Sequence, residues 1–209
     1  MFNPDPIWEG KPAYIVGGGS SLKTFDWNLI RDEFVIGCNV AYLLGFEIIP
    51  ITVFGDTNFF NQHRTGLENY AKGGGWVVTN SMAIRKPVPQ WLRIMKKELN
   101  GFHREALGWN GNTGSVAINL ALILGASPIF LLGFDMGVSE EGEANYHNAY
   151  PTVSSPDTYG RFLKRMERAS RDLPTAFPGQ KIINLEDGTS KMGIFPKEIL
   201  RKHFERVSA

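Results

Sequence analysis

The chain has 209 residues, 43% hydrophobic and 21% charged, which is enough apolar content to bury one full-sized core. Its formal net charge of +1 removes any global electrostatic case for binding nucleic acid or an anionic membrane. The single cysteine, Cys38, excludes an internal disulfide, and the longest apolar runs fall well short of the roughly 20 residues a membrane span needs.

The N-terminal stretch MFNPDPIWEGK has neither the basic start nor the apolar segment of a signal peptide, and Cys38 in FVIGCNV reads as a small buried hydrophobe. A cytoplasmic, reduced, soluble protein is the expectation. In chain order, short apolar runs bounded by turn residues recur at 13–16, 34–38, 48–54, 76–79, 128–132 and 181–185. They are rich in Val, Ile and Phe and most lack strict alternation, the pattern of strands buried on both faces of a parallel sheet. Helical patterns lie between several of them. QWLRIMKKELNGF (90–102) puts Trp91, Leu92, Met95 and Leu99 on one stripe that ends near Gly101. GSVAINLALILGA (114–126) is apolar almost all round, with Ser115 as the expected N-cap and Gly125 as the stop. SSPDTYGRFLKRMERASRDL (154–173) and PKEILRKHFERVSA (196–209) are amphipathic and basic. From Arg161 onward there are 11 Lys and Arg against 6 Asp and Glu, while the preceding residues hold 11 against 15. Strands alternating with helices imply βαβ units and a mostly parallel sheet. No repeat or linker divides residues 1–209, so one domain is expected, with a long lid-like loop at about 136–158.

In such sheets ligands bind beyond the carboxyl ends of the strands, which directs attention to the residues just after each run. After the first comes YIVGGGSSL. Gly17, Gly18 and Gly19 let backbone N–H groups converge on an anion without side-chain obstruction, and Ser20 and Ser21 add hydroxyls or cap a short helix. A tight turn without a ligand is the plain alternative. The dinucleotide pattern G-x-G-x-x-G and the phosphate loop G-x-x-x-x-G-K-[ST] both fail at Leu22, where a side chain replaces the glycine the backbone needs. Asn39 ends the second run and suits a base, a ribose or its own turn. The third exits through FGDTNFFNQH, where Asp56 suits a hydroxyl or a metal and Asn58, Phe59 and Phe60 suit a pocket wall.

Asn110, Gly111, Asn112, Thr113 and Gly114 form a polar loop ahead of the apolar helix, whose N-terminus near Ser115 favours negative charge. Asp135 follows the run PIFLLGF. The long loop behind it carries Tyr146, His147, Asn148 and Tyr150, an aromatic and polar cluster suited to substrate contact, with His147 in the range for acid–base chemistry. Arg161, Lys164, Arg165, Arg168 and Arg171 make a basic helical stripe: a solvated face, a partner surface, or a source of phosphate contacts.

These residues in this order resemble a known group. IVGGGSSLKTFDWNLIRDEFVIGCNVAY is similar to the start of the bacterial lipooligosaccharide sialyltransferases. It is also similar to the broader set containing motility accessory factors and 6-hydroxymethylpterin diphosphokinase-like proteins, and most of all to uncharacterised phage and prophage members. The first loop resembles G-x-G-P-S-L, with Ser20 at the proline position and Gly18 where the sialyltransferases carry asparagine. Asn39 falls on the group's nucleotide-contacting asparagine, Asn112, Thr113 and Gly114 on its small-residue loop, and ILGASPIFLLGFDM on its L-G-x-x-x-I-x-L-x-G-x-D stretch.

The resemblance implies a single Rossmann-like α/β domain with a mostly parallel sheet flanked by helices. It also implies a nucleotide-dependent transferase that moves a glycosyl group from a nucleotide-sugar donor to an acceptor. In that expectation Gly17–Ser21, Asn112–Ser115, Asn39 and Asp56 bind the donor, and His147, Tyr146 and Asp135 perform the chemistry without a metal. Two alternatives stand beside it. One is an ATP-dependent pterin-type diphosphokinase, with Mg²⁺ on Asp56 or Asp135. The other is a non-catalytic phage-associated module whose basic helices bind a partner. The identity of the acceptor and the formation of a homo-oligomer stay open.

Overall fold

All four residues of β1 (Ala13–Val16) are buried, and they alternate between two cores. Ala13 and Ile15 pack on one side with Ile36, Val53 and Leu131, while Tyr14 and Val16 pack on the other with Val35, Phe130 and Leu132. A strand so placed needs apolar residues at every position, which is why the sequence lacks a polar–apolar alternation there. The computed structural model describes residues 1–149 and 155–207.

The remaining strands are β2 (Val35–Cys38), β3 (Ile51–Phe54), β4 (Trp76–Thr79), β5 (Leu92–Ile94), β6 (Lys97–Glu98), β7 (Leu107–Gly108), β8 (Ile129–Leu132), β9 (Ile182–Glu186) and β10 (Lys197–Ile199). Among the described residues, eight of them form one sheet in the order β10-β9-β8-β1-β2-β3-β4-β5, and every pairing in it is parallel. The chain runs outward from β1 to β5, then crosses back so that β8 pairs with β1 on its other side. This reversal puts the switch point of the sheet at β1.

Helices cover both faces. α2 (Thr113–Ile123) and α3 (Pro156–Ser170) pack into the core that holds Ile15 and Val53. On the opposite face, α1 (Thr57–Lys72) packs Phe60 and Leu67 with Phe54 and Val77, and α5 (Leu200–Val207) packs Phe204 with Tyr14 and Leu132. A short α4 (Leu173–Ala176) follows α3. The α/β class and mostly parallel sheet expected from the sequence are therefore present.

Three local expectations differ. The 90–102 segment is not a helix. Leu92–Ile94 forms the edge strand β5, with Leu92 opposite Val77 and Ile94 opposite Thr79, and Met95 donates its N–H to Thr79 O at 2.9 Å. Leu99, expected on the buried stripe, is 68% exposed. Backbone pairing to an open sheet edge outweighs a weak local helical preference. Second, α1 was not anticipated. Asp56 caps it by accepting the Phe59 N–H at 2.7 Å, and Phe59, Phe60, Leu67 and Tyr70 make its buried stripe. Third, Asn112 caps α2, not Ser115.

Candidate active-site cleft at the sheet switch point

The loop that precedes α2 is fixed before the helix begins. Asn110 and Gly111 both adopt positive φ (44° and 76°), and Asn110 pairs its side-chain amide with Gly101, accepting from the N–H at 2.8 Å and donating to the O at 2.9 Å. Asn119, fully buried on α2, accepts from His103 N–H and Gly108 N–H and donates to His103 O. These bonds fix the register of α2, and its N-terminus is directed at the strand ends. Asn112 Oδ1 accepts the Ser115 N–H at 2.8 Å, leaving the N–H groups of Thr113 and Gly114 ahead of the first intrahelical acceptor.

A cleft of about 510 Å³ opens there. The turn after β1 contributes Gly17, Gly18 and Gly19, and the ends of β2 and β3 contribute Asn39 and Asp56. The start of α2 contributes Asn112, Thr113 and Gly114, and the end of β8 contributes Asp135. His147 closes one side, and Tyr159 and Phe162 of α3, with Trp109, form apolar walls. Residues far apart in sequence thus meet in one place because parallel strands all end on the same side.

The glycine turn departs from its expected role. Gly17 N–H donates to Leu132 O, Gly19 N–H to Gly133 O, and Ser21 N–H to Asp135 Oδ2. Two of the three glycine amides expected to face an anion are therefore spent inside the protein, as is the amide of Ser21. Gly17 and Gly19 serve close approach instead. A β-carbon at Gly17 would lie 2.6 Å from Gly133 O, and one at Gly19 would overlap the Asp135 carboxylate. Gly18 is the glycine facing Asn145 and His147.

Ser20 and Ser21 do not line the cleft. Ser21 Oγ donates to Asp135 Oδ1 at 2.6 Å, and Ser20 adds a further bond, so both serines act on the carboxylate. Burial raises the pKa of Asp135, while the bonds from Ser21 oppose the rise. With both oxygens accepting from Ser21, this carboxylate ties β8 to the turn after β1 while it also lines the cleft. Ser115 is also outside the cleft: it is fully buried, and its Oγ has no hydrogen-bond partner among the described residues. Tyr146 packs its ring 5.2 Å from Trp27 and also does not line the cleft. Tyr150 lies outside the described residues.

Asn39, at φ 52°, accepts from Thr113 Oγ1 through Oδ1 at 3.2 Å, which directs its amide donors away from that bond. The segment bearing His147 docks by the Tyr146 N–H donating to Gly18 O at 3.1 Å. His147 Nδ1 accepts from the Ala149 N–H at 3.3 Å, so in the neutral ring the proton resides on Nε2, the atom nearest Gly18. Burial lowers the pKa of His147, favouring that neutral form. Of the residues that sequence reasoning did not place here, Tyr159 and Phe162 had a legible signal, their i, i+3 spacing on an amphipathic helix. Trp109 had none beyond its position beside the polar loop.

No protein-family model and no curated protein matches the sequence. Solved structures do resemble it. The sialyltransferase CstII from Campylobacter jejuni, in complex with the substrate analogue cytidine-5′-monophosphate, matches with a TM-score of 0.54 at 13% identity, over 92% of this chain and 86% of that one. The MAf glycosyltransferase from Magnetospirillum magneticum AMB-1 matches with a TM-score of 0.60 at 14% identity, over 92% of this chain but 34% of the other. This chain therefore spans about a third of that protein's length. At these identities the likeness establishes a shared fold, an α/β Rossmann-like domain whose neighbours include glycosyltransferases.

Proposed function

We propose that the cleft binds a nucleotide-activated sugar and transfers its glycosyl group to an acceptor hydroxyl. One observation carries this reading: Gly18, Asn39, Asp56, the first turn of α2 and His147 converge on one cleft at the switch point of a parallel sheet. The C. jejuni neighbour with cytidine monophosphate supports a nucleotide as the ligand class.

In this reading the N–H groups of Gly18, Thr113 and Gly114 hold the donor phosphate, aided by the positive end of α2. Asn39 contacts the nucleoside through its amide. Asp56, with one oxygen engaged in capping α1, accepts from a sugar hydroxyl with the other. His147 donates through Nε2–H to the departing phosphate. The acceptor oxygen bonds to the anomeric carbon as the carbon–oxygen bond to phosphate breaks. That bond's electron pair leaves with the nucleotide, and the acceptor's hydroxyl proton is released. Asp135, Gly17 and Gly19 shape the turn. The diphosphokinase alternative would place magnesium on Asp56 or Asp135; both Asp135 oxygens already accept from Ser21, which leaves Asp56 as the carboxylate for that reading.

Incubation with a panel of CMP-, UDP- and GDP-sugars, with and without magnesium, tests the reading by product analysis. Release of free nucleotide from one member, independent of magnesium, is expected. No turnover and no binding across the panel would contradict it.

A further inference from the structure

Tyr159 and Phe162 face the cleft from α3, and Arg165 lies three residues further along the same helix face. Its side chain crosses to the backbone of Gly111, itself part of the cleft wall. A β-carbon at Gly111 would overlap Arg165 Nη1 and lie 2.9 Å from Cδ. The bare backbone at this position is what lets the guanidinium lie against Gly111, at the edge of the cleft.

The charge of the cleft gives this placement its meaning. Its lining holds two carboxylates, Asp56 and Asp135, and neither lysine nor arginine among the described residues. An incoming phosphate would meet hydrogen-bond donors there but no full positive charge. Arg165 makes no ion pair among the described residues, whereas Arg171 on the same helix pairs with Glu167 at 3.2 Å. A guanidinium offers a planar fork of donors that matches phosphate oxygens, and an exposed arginine reaches a ligand at little desolvation cost.

We propose that Arg165 is the cation that binds the donor phosphate, reaching it from α3 across Gly111. This rests on the nucleotide-sugar reading of the cleft, and the test separates the two. Calorimetric titration compares the wild type, Arg165→Ala, Arg165→Lys and Arg168→Ala, the last as a control on the same helix. The titrants are the four common nucleoside 5′-monophosphates and the matching nucleosides, with melting temperatures recorded for every variant.

The wild type is expected to prefer one monophosphate over its nucleoside. Arg165→Ala should weaken that monophosphate at least tenfold while leaving the nucleoside unchanged, Arg165→Lys should retain part of the preference, and Arg168→Ala should match the wild type. Undiminished monophosphate binding by Arg165→Ala would overturn the Arg165 assignment and leave the nucleotide reading standing. Equal loss of nucleoside and monophosphate would also overturn it, by making the residue structural. If the wild type binds no nucleotide, the nucleotide reading fails and the assignment fails with it.

Discussion

Of the three consecutive glycines, Gly17 and Gly19 serve close approach and Gly18 faces the cleft, and substitution separates the two roles. Gly19→Ala drives a β-carbon into the Asp135 carboxylate and disrupts its bonds to Ser21, an overpacking expected to cost about 1–3 kcal/mol. Gly18→Ala meets the end of the Asn145 side chain at 3.0 Å and His147 Nε2 at an ordinary 3.8 Å, and is expected to cost under about 1 kcal/mol while weakening ligand binding. Urea unfolding of both variants, with nucleotide titration of the second, checks the contrast.

His147 offers a sign test. Its pKa is lowered from the ordinary 6.5 by burial, so it is neutral at pH 7 and gains charge only below its normal range. If it donates to phosphate, protonation strengthens the contact. Affinity for a nucleoside phosphate methyl ester, which keeps one charge across the range, should rise as pH falls below 6.5, and His147→Gln should abolish the rise. A histidine acting as general base would instead lose kcat/KM on the acid side with no gain in affinity. Asn112→Ala removes the cap of α2 at a cost of about 1 kcal/mol, whereas Asn112→Asp should keep its stability.

The elements differ in how plainly the sequence announces them. The 13–16, 76–79, 128–132 and 181–185 runs fall within one residue of observed strands because burial on both faces demands an unbroken apolar run. β5 was hidden for the opposite reason. Its three residues are an edge strand, and the Trp91, Leu92, Met95 and Leu99 spacing suits a helix until β4 supplies a partner. Asp56 and the 59, 60, 67, 70 spacing mark α1, but the polar residues of FGDTNFFNQH at a strand end suit ligand contacts as well as a helix start. The glycine turn was misjudged because backbone hydrogen bonds to Leu132 and Gly133 depend on which strand lies beside β1, and sequence spacing does not contain that. The same dependence on distant contacts makes Asn119 a sensitive point. Each buried group stranded by Asn119→Leu costs about 1–3 kcal/mol, and with His103 N–H, Gly108 N–H and His103 O all released a loss of at least about 3 kcal/mol is expected in urea.

At the scale of the whole molecule, topology does what no local motif does. Strand order places the ends of β1, β2, β3 and β8 side by side, and α2 points its first turn at them. That position was legible from the sequence, since the strand-end rule selected Gly18, Asn39 and Asp56, and the polar loop ahead of the apolar helix selected Asn112. The wall supplied by α3 was legible only as an apolar face, Tyr159 and Phe162 at i, i+3, because which cleft that face closes depends on how a distant helix packs. The excess positive charge of the C-terminal part, open in the sequence to a solvated face, a partner surface or phosphate contacts, includes one arginine at the rim of the cleft. The most direct test is a crystal structure of the protein soaked with a nucleoside 5′-monophosphate. The account predicts the phosphate within hydrogen-bond reach of Gly18 and Gly114 N–H and His147 Nε2, with the nucleoside against Asn39. A nucleotide bound elsewhere, or a cleft left empty at saturating ligand, would contradict it.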